Sequence, residues 1–236
     1  MKIDRRKRYV IGIDTETCNG YNDDNGKLCL TDSLVYDIGW AVTDKKGKIY
    51  RTRSFVIYET FVGMKDVMKS AYYANKIPQY EKDLKNGKRK LVTLETARRF
   101  LVNDMREFHT NIVFAHNAYF DLNALNKTER YITKSKYRYF FPYDTIIWDT
   151  LKMSRDIFKN KKMYNTWCEE NGYMTKHKKP QIRLTAEIIY RYISGEHNFD
   201  ESHTGLEDVK IETQIFAYCM RQHKKMRKAL FSASPE

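Results

Sequence analysis

No stretch of this chain approaches the roughly 20 consecutive apolar residues of a membrane span. The basic start, MKIDRRKRYVIGIDTET, has an apolar run that Asp14 cuts after a few residues, too short for a secretory signal. Cysteine is scarce: Cys18, Cys29, Cys168 and Cys219 are the four, with no CxxC pair and no zinc-like spacing. That argues against a disulfide framework or a zinc site and predicts free thiols in a reducing, cytoplasmic setting. No internal repeat or low-complexity tract is present. Acid is short as well, with 30 Asp+Glu against 43 Lys+Arg, a net charge of +13. Such an excess favours polyanions, nucleic acid first and acidic membrane surfaces second, over a merely solubilising charge. With 42% hydrophobic residues over 236 positions, one domain spanning 1–236 with a real core is expected.

Apolar β-rich runs come first. Tyr9–Thr15 reads as a buried strand, followed by Leu34–Asp44 and Lys48–Tyr58 joined at a DKKGK turn. Between the first two lies NGYNDDNGKLCL, read as a long loop. A basic, partly helical insertion covers 64–92, and Thr93 opens a helix with Ala97, Leu101 and Met105 inward. Asn111–Asn117 is a short strand running into a helix, and YDTIIWDTLKMSRDIF is strand then helix with Asp149 as N-cap. A second basic insertion, 160–180, reads as irregular. IRLTAEIIYRYISG is an amphipathic helix stopped by Gly195, and a last helix runs from Thr204 to about Leu230. Three antiparallel strands, then alternating helix and strand, imply an α/β fold with a mixed central sheet.

The final helix begins unusually. Thr204 and Glu207 have the spacing of a capping box, and the two positions flanking it that ordinarily form an apolar staple hold His203 and Asp208. Asp14 and Glu16 stand two apart at the end of the first strand, hence on one face. If Asn117 caps its helix, Asp121 holds the helical position that Asp208 holds after Thr204. Singly, Asp121 or Asp208 is an ordinary first-turn helix-dipole residue, and His203 a solvated loop histidine. Jointly, four carboxylates at element ends predict a site that needs divalent cations. Oxygen-only ligation suits two Mg²⁺ or Mn²⁺ ions, the usual device for phosphodiester hydrolysis. His203, with an ordinary pKa near 6.5, is the candidate general base.

IDTET, AHNAYFD and HTGLED resemble the three motifs of the DEDDh 3′→5′ exonucleases, the group that includes polymerase proofreading domains, RNase T and oligoribonuclease. WDTLKMSR resembles the stretch such proteins carry between the second and third motifs, and the likeness runs from Tyr9 to about Leu230. It implies an RNase H-like fold, a five-stranded mixed sheet flanked by helices. It implies Asp14, Glu16, Asp121 and Asp208 as metal ligands and His203 as general base. It places Thr15, Thr17, Asn117 and Phe120 against the terminal nucleotide. Gly205 departs from the alanine usual in the third motif.

The expected activity is removal of nucleoside monophosphates from single-stranded or frayed DNA ends. An RNA exonuclease and a non-catalytic nucleic-acid-binding module are the alternatives. A polymerase or replication protein in trans is a conceivable partner, repair and end trimming are equally open, and no membrane role is expected. The Lys-, Asn- and Tyr-rich composition suggests an AT-rich genome, hence a bacterial or phage-infected host cell. Lys85, Lys88, Arg89 and Lys90 in the first insertion are candidate phosphate contacts. So are Lys159, Lys161, Lys162, Lys176, Lys178 and Lys179 in the second, with Tyr164, Trp167 and Tyr173 as candidate base-stacking partners; aromatics packed beneath a solvated loop are the alternative. The RQHKKMRK run is read as a charge cluster at the end of the last helix.

Overall fold

A computed structural model describes residues 3–22, 28–69, 71, 73–232 and 234, with side chains for all of these except 19–22, 28–32 and 66. The whole NGYNDDNGKLCL stretch, Cys29 included, therefore lies outside the described side chains. The chain opens with three antiparallel strands, β1 (Tyr9–Asn22), β2 (Leu28–Asp44) and β3 (Ile49–Ile57). The DKKGK turn forms as expected, with Asp44 and Lys48 bonded across it and Gly47 at φ 83°, a conformation that suits glycine. Of the loop expected between the first two strands, the described residues 19–22 and 28–30 continue the two strands. β1 pairs with β2 out to Asn22 and Leu28, past a register shift between Glu16 and Thr17.

After α1 (Tyr58–Phe61), the first insertion folds into the short helix α2 (Lys65–Met68), a 3₁₀ turn at Ala74–Lys76, and α3 (Ile77–Lys85). It closes with β4 (Lys90–Val92), which pairs parallel with β3. This edge strand makes the sheet six-stranded rather than five-stranded; three residues, two of them exposed, carry too little apolar pattern to be read as a strand. Thr93 caps α4 (Leu94–Glu107) by accepting from the Thr96 N–H, and Ala97, Leu101 and Met105 are buried as predicted. Then follow β5 (Ile112–Ala115), α5 (Ala118–Thr133) and β6 (Ile146–Asp149). The sheet order is β4-β3-β2-β1-β5-β6, with β1, β5 and β6 mutually parallel.

The last third is helical: α6 (Thr150–Phe158), α7 (Lys162–Glu170), α8 (Ala186–Ser194) and α9 (Gly205–Arg221). The second insertion, read as irregular, contains α7. Buried Tyr164 and Cys168, one turn apart, anchor it to the core. Helix α9 stops at Arg221, not near Leu230. Past it, Leu230 donates to the Ile147 carbonyl and Asp149 to Lys228, so the tail runs alongside β6. The RQHKKMRK run thus begins at the last residue of α9 and continues past the helix, where Arg227 pairs with Asp156 at 2.5 Å.

Period-2 alternation divides the core. Ile11, Ile13 and Trp40 pack with Leu94, Leu101 and Leu125 of α4 and α5. Val10 and Phe114 pack with Met153, Ile189, Ile215 and Phe216 of α6, α8 and α9. A third cluster fastens the first insertion, through Phe61, Met68 and Tyr80, onto Tyr36 and Val56. Among the described residues no helix is long and apolar enough to cross a membrane.

Candidate active site

Three elements converge where β1 passes its register shift. Asp14 and Glu16 project from β1 opposite Gly39 and Asp37 of β2. Helix α9 starts against the same place, because Gly39 and Gly205 let two backbones touch. A Cβ on Gly39 would sit 2.2 Å from the Leu206 nitrogen, and one on Gly205 2.8 Å from the Gly39 nitrogen. The departure at Gly205 thus fits a contact with no room for a side chain. Helix α5 brings Asp121 from the other side, and its carboxylate accepts from the Thr15 N–H at 3.1 Å and the Thr15 hydroxyl at 2.8 Å.

Asp14, Glu16 and Asp208 each place a carboxylate oxygen within 4.8 Å of the others. A cleft of about 440 Å³ is lined by these three with Asp121, His203, Asn117 and Phe120. The predicted acids and the histidine are therefore brought together. Thr15 also lines the cleft, with its hydroxyl committed to Asp121. Thr17, one step beyond the bulge, is buried and lies outside the lining.

The capping box does not form. Thr204 sits at the N-cap in extended conformation, but its side chain caps nothing, bonding Ser202 instead, and Glu207 turns to Lys210. The first N–H of α9 goes to Asp37 of β2, at 3.2 Å. The same Asp37 oxygen accepts from Tyr80 at 2.6 Å and Arg89 at 3.0 Å. Arg89, a candidate phosphate contact, is therefore spent inside the protein, tying the first insertion to the helix that carries Asp208. Nor does Asn117 cap α5 through its side chain; it adopts a left-handed conformation at φ 66°, and its N–H donates to Asp149.

The electrostatics are those of acids crowded without a counter-charge. Burial raises Asp14 well above the usual carboxylate range, helped by Glu212, Asp121, Glu16 and Asp208. Glu16 is pushed up to about 9 by burial and then by Asp208 and Asp37. Asp121 and Asp208 each reach about 7, burial again leading, with hydrogen bonds from Thr15 and Ser202 pulling the other way. His203 moves down, through burial and the nearby Lys76 ammonium. An imidazole so placed is neutral at pH 7, as a base must be.

Four members of the site were not singled out from the sequence. Glu212, buried one turn after Asp208, accepts from the His116 N–H at 3.2 Å. Its signal was available: an acid inside the apolar stripe of α9 (Val209, Ile211, Ile215, Phe216). Glu201 stands 3.9 Å from His203 Nδ1. Tyr73 stacks on His203 with ring centroids 4.2 Å apart and planes 16° from parallel. Lys76 donates to the Ser202 carbonyl, beside His203. Tyr73 and Lys76 come from the first insertion, and no local pattern says where an insertion docks.

The fold has solved counterparts. The chain is similar to the nuclease domain of 3′hExo, a DEDDh family member solved with rAMP, at TM-score 0.55 and 12% identity, covering 94% of this chain and 96% of that one. It is similar also to a full-length 3′-exonuclease, at TM-score 0.56 and 10% identity, covering 98% and 90%. The fold is that of the DEDDh exonuclease domains. At these identities the likeness establishes the RNase H-like architecture, with one edge strand more than the five expected. No protein-family model and no curated protein matches the sequence.

Proposed function

We propose that the protein is a metal-dependent 3′→5′ exonuclease that releases nucleoside monophosphates from single-stranded or frayed ends, DNA favoured. One observation carries this reading: Asp14, Glu16 and Asp208 present oxygens within 4.8 Å of one another, with Asp121 and His203 in the same cleft. The donor set fits hard divalent cations. All its atoms are carboxylate oxygens, and their raised proton affinities mark a concentration of negative charge that a bound cation relieves. Asp14, Glu16, Asp121 and Asp208 would hold Mg²⁺ or Mn²⁺, which there neutralises the acids and polarises the phosphodiester for in-line attack.

The chain's own groups do the rest. Neutral His203 takes the proton of the attacking water through the ring nitrogen not facing Glu201. Tyr73 holds the imidazole plane, and Lys76 fixes the backbone at Ser202. Asn117 and Phe120 border the cleft where a terminal nucleotide would enter. The 3′hExo domain was solved with rAMP, a nucleoside monophosphate like the product expected here, and it keeps an RNA substrate as the second reading.

A 5′-labelled single strand, incubated with Mg²⁺, should shorten one nucleotide at a time, and Asp14→Ala or His203→Ala should abolish this while binding persists. Full activity in either variant refutes the assignment. Matched DNA and RNA strands digested side by side decide the sugar preference.

A further inference from the structure

The second insertion does not supply the stacking surface expected of it. Tyr164 is fully buried and donates to the Arg183 carbonyl, while Trp167 and Tyr173 pack against the core. Exposed aromatics lie elsewhere. Among the described residues, eleven large hydrophobic side chains are exposed, and five of them are tyrosines between positions 119 and 143. Burying a tyrosine ring is ordinarily favourable, so a cluster left in water points to a surface that meets a partner.

Their placement is ordered. Tyr119 opens α5, two residues from Asp121. Tyr119, Asn123, Lys127 and Tyr131 follow at four-residue steps, a stripe that winds about 40° per step around the outer side of the helix. The 16 residues of α5 carry that face about 24 Å away from the cleft. Beyond it, Tyr137, Tyr139 and Tyr143 are 87%, 59% and fully exposed. Cations are interleaved: Lys134 lies over the Tyr131 ring at 4.3 Å and Arg130 over Tyr139 at 4.8 Å. The acids of α5, Asp121 and Glu129, are both buried, and the one exposed acid of the turn, Asp144, follows Tyr143, so the exposed charge of the face is predominantly positive.

We propose that the outer face of α5 and the turn after it form a track for the unpaired strand whose 3′ end enters the cleft. Tyrosine faces stack on successive bases, and Lys134, Lys136 and their neighbours meet phosphates. Stacking needs open base faces, so the occupant is a single strand and not a duplex. What lies at the end of the track rests on the exonuclease reading; the track itself does not.

Binding of a 5′-fluorescein (dT)12 strand, followed by anisotropy in EDTA, tests it without turnover. Tyr137→Ala combined with Tyr143→Ala, both fully at the surface, should weaken binding about tenfold or more. Lys134→Gln with Lys136→Gln should lower the slope of log K against log salt by about 1.4, two phosphates at roughly 0.7 each. A dinucleotide, too short to reach, should compete equally with wild type and the tyrosine variant. The track is overturned if the tyrosine variant melts normally and binds (dT)12 unchanged, or if inorganic polyphosphate or a blunt duplex competes as well as (dT)12. Failure of nucleotide release in Mg²⁺ with tyrosine-dependent binding intact would count against the exonuclease reading alone. Release intact with binding indifferent to the tyrosines would count against the track alone.

Discussion

Replacing Gly39 by alanine should uncouple the two halves of the active site. The new Cβ would stand 2.2 Å from the Leu206 nitrogen and 2.4 Å from the Gly205 carbonyl carbon. Ordinary contact begins near 3.4 Å, so α9 must retreat by about 1.2 Å (3.4 − 2.2). Both neighbours are backbone, and no rotamer change relieves the clash. Overpacking of this kind costs about 1–3 kcal/mol. The functional cost is greater than the structural one, because β2 holds still while α9 moves. Asp208 leaves Asp14 and Glu16, and Gly205 loses its bond to Asp37. A 1 Å misplacement of reacting groups is worth about 10²-fold in rate. Denaturant melts should therefore show a folded protein, while kcat on a single-stranded substrate falls about a hundredfold. Gly205→Ala, meeting the Gly39 nitrogen at 2.8 Å, should do the same more weakly. Wild-type kcat in Gly39→Ala, with stability lowered as expected, would refute the view that this backbone contact sets the acid geometry.

Asp104 is the hub of a buried network, accepting from Trp40 at 2.9 Å, Arg51 at 2.7 Å and Arg53 at 2.7 Å. Asp104→Ala should cost about 3–5 kcal/mol in urea melts. Burial pushes its carboxyl up, but the bonds from Arg53, Trp40 and Arg51 outweigh that and hold it below the ordinary range. Its contribution is thus complete above about pH 4 and lost as pH falls through the lowered folded value. The acids of the cleft have the opposite sign. Their folded pKa values are raised, to about 9 for Glu16 and about 7 for Asp208, so the folded state binds more protons than the unfolded chain. The metal-free melting temperature should fall as pH rises from about 4 towards 9, and Mg²⁺ should raise it more at pH 8 than at pH 5.5; an equal Mg²⁺ effect at both would contradict cation binding at these acids. Tyr73→Ala removes a ring stack worth about 0.5–1.5 kcal/mol and should lower kcat roughly two- to tenfold with KM little changed, whereas Tyr73→Phe should keep the rate.

Periodic and capped elements were legible in the sequence. Helix α4 with its Thr93 cap, α8 with Gly195 after it, and the parallel run from Asn111 to Asp149 all carry local signals strong enough to stand alone, although α8 starts at Ala186, four residues later than the apolar pattern suggests. The acids and His203 were legible because they sit at element boundaries, where a titratable residue interrupts an apolar pattern. What escaped was decided between elements. The Thr204–Glu207 spacing has the form of a capping box, yet Asp37, 168 residues before Gly205, takes the helix N–H. The end of α9 at Arg221 is set by the tail turning to pair with β6, through Leu230 and Ile147, which no property of residues 222–230 announces. Aromatic residues in a basic insertion look alike whether they face water or core, and Tyr164 shows that packing decides.

The first insertion lies outside the compact plan expected from the sequence, yet it braces the cleft. Arg89, at the end of the first, neutralises Asp37, which would otherwise be an unpaired buried carboxylate facing Glu16 across the β1–β2 ladder. A buried charge in that position is expensive without its partner. Tyr73 and Lys76, from the same insertion, bracket His203, whose backbone sits at a left-handed φ of 49°. The stretch after the second insertion supplies the Leu184 carbonyl, which accepts from His116 Nε2 at 2.7 Å and fixes the start of the segment leading to Asp121. Shortening the first insertion to a plain turn would therefore remove supports of the site and not ornaments of the surface. The clustered acids thus come from β1, α5 and α9, while His203, the proposed base, is bracketed by side chains of the first insertion.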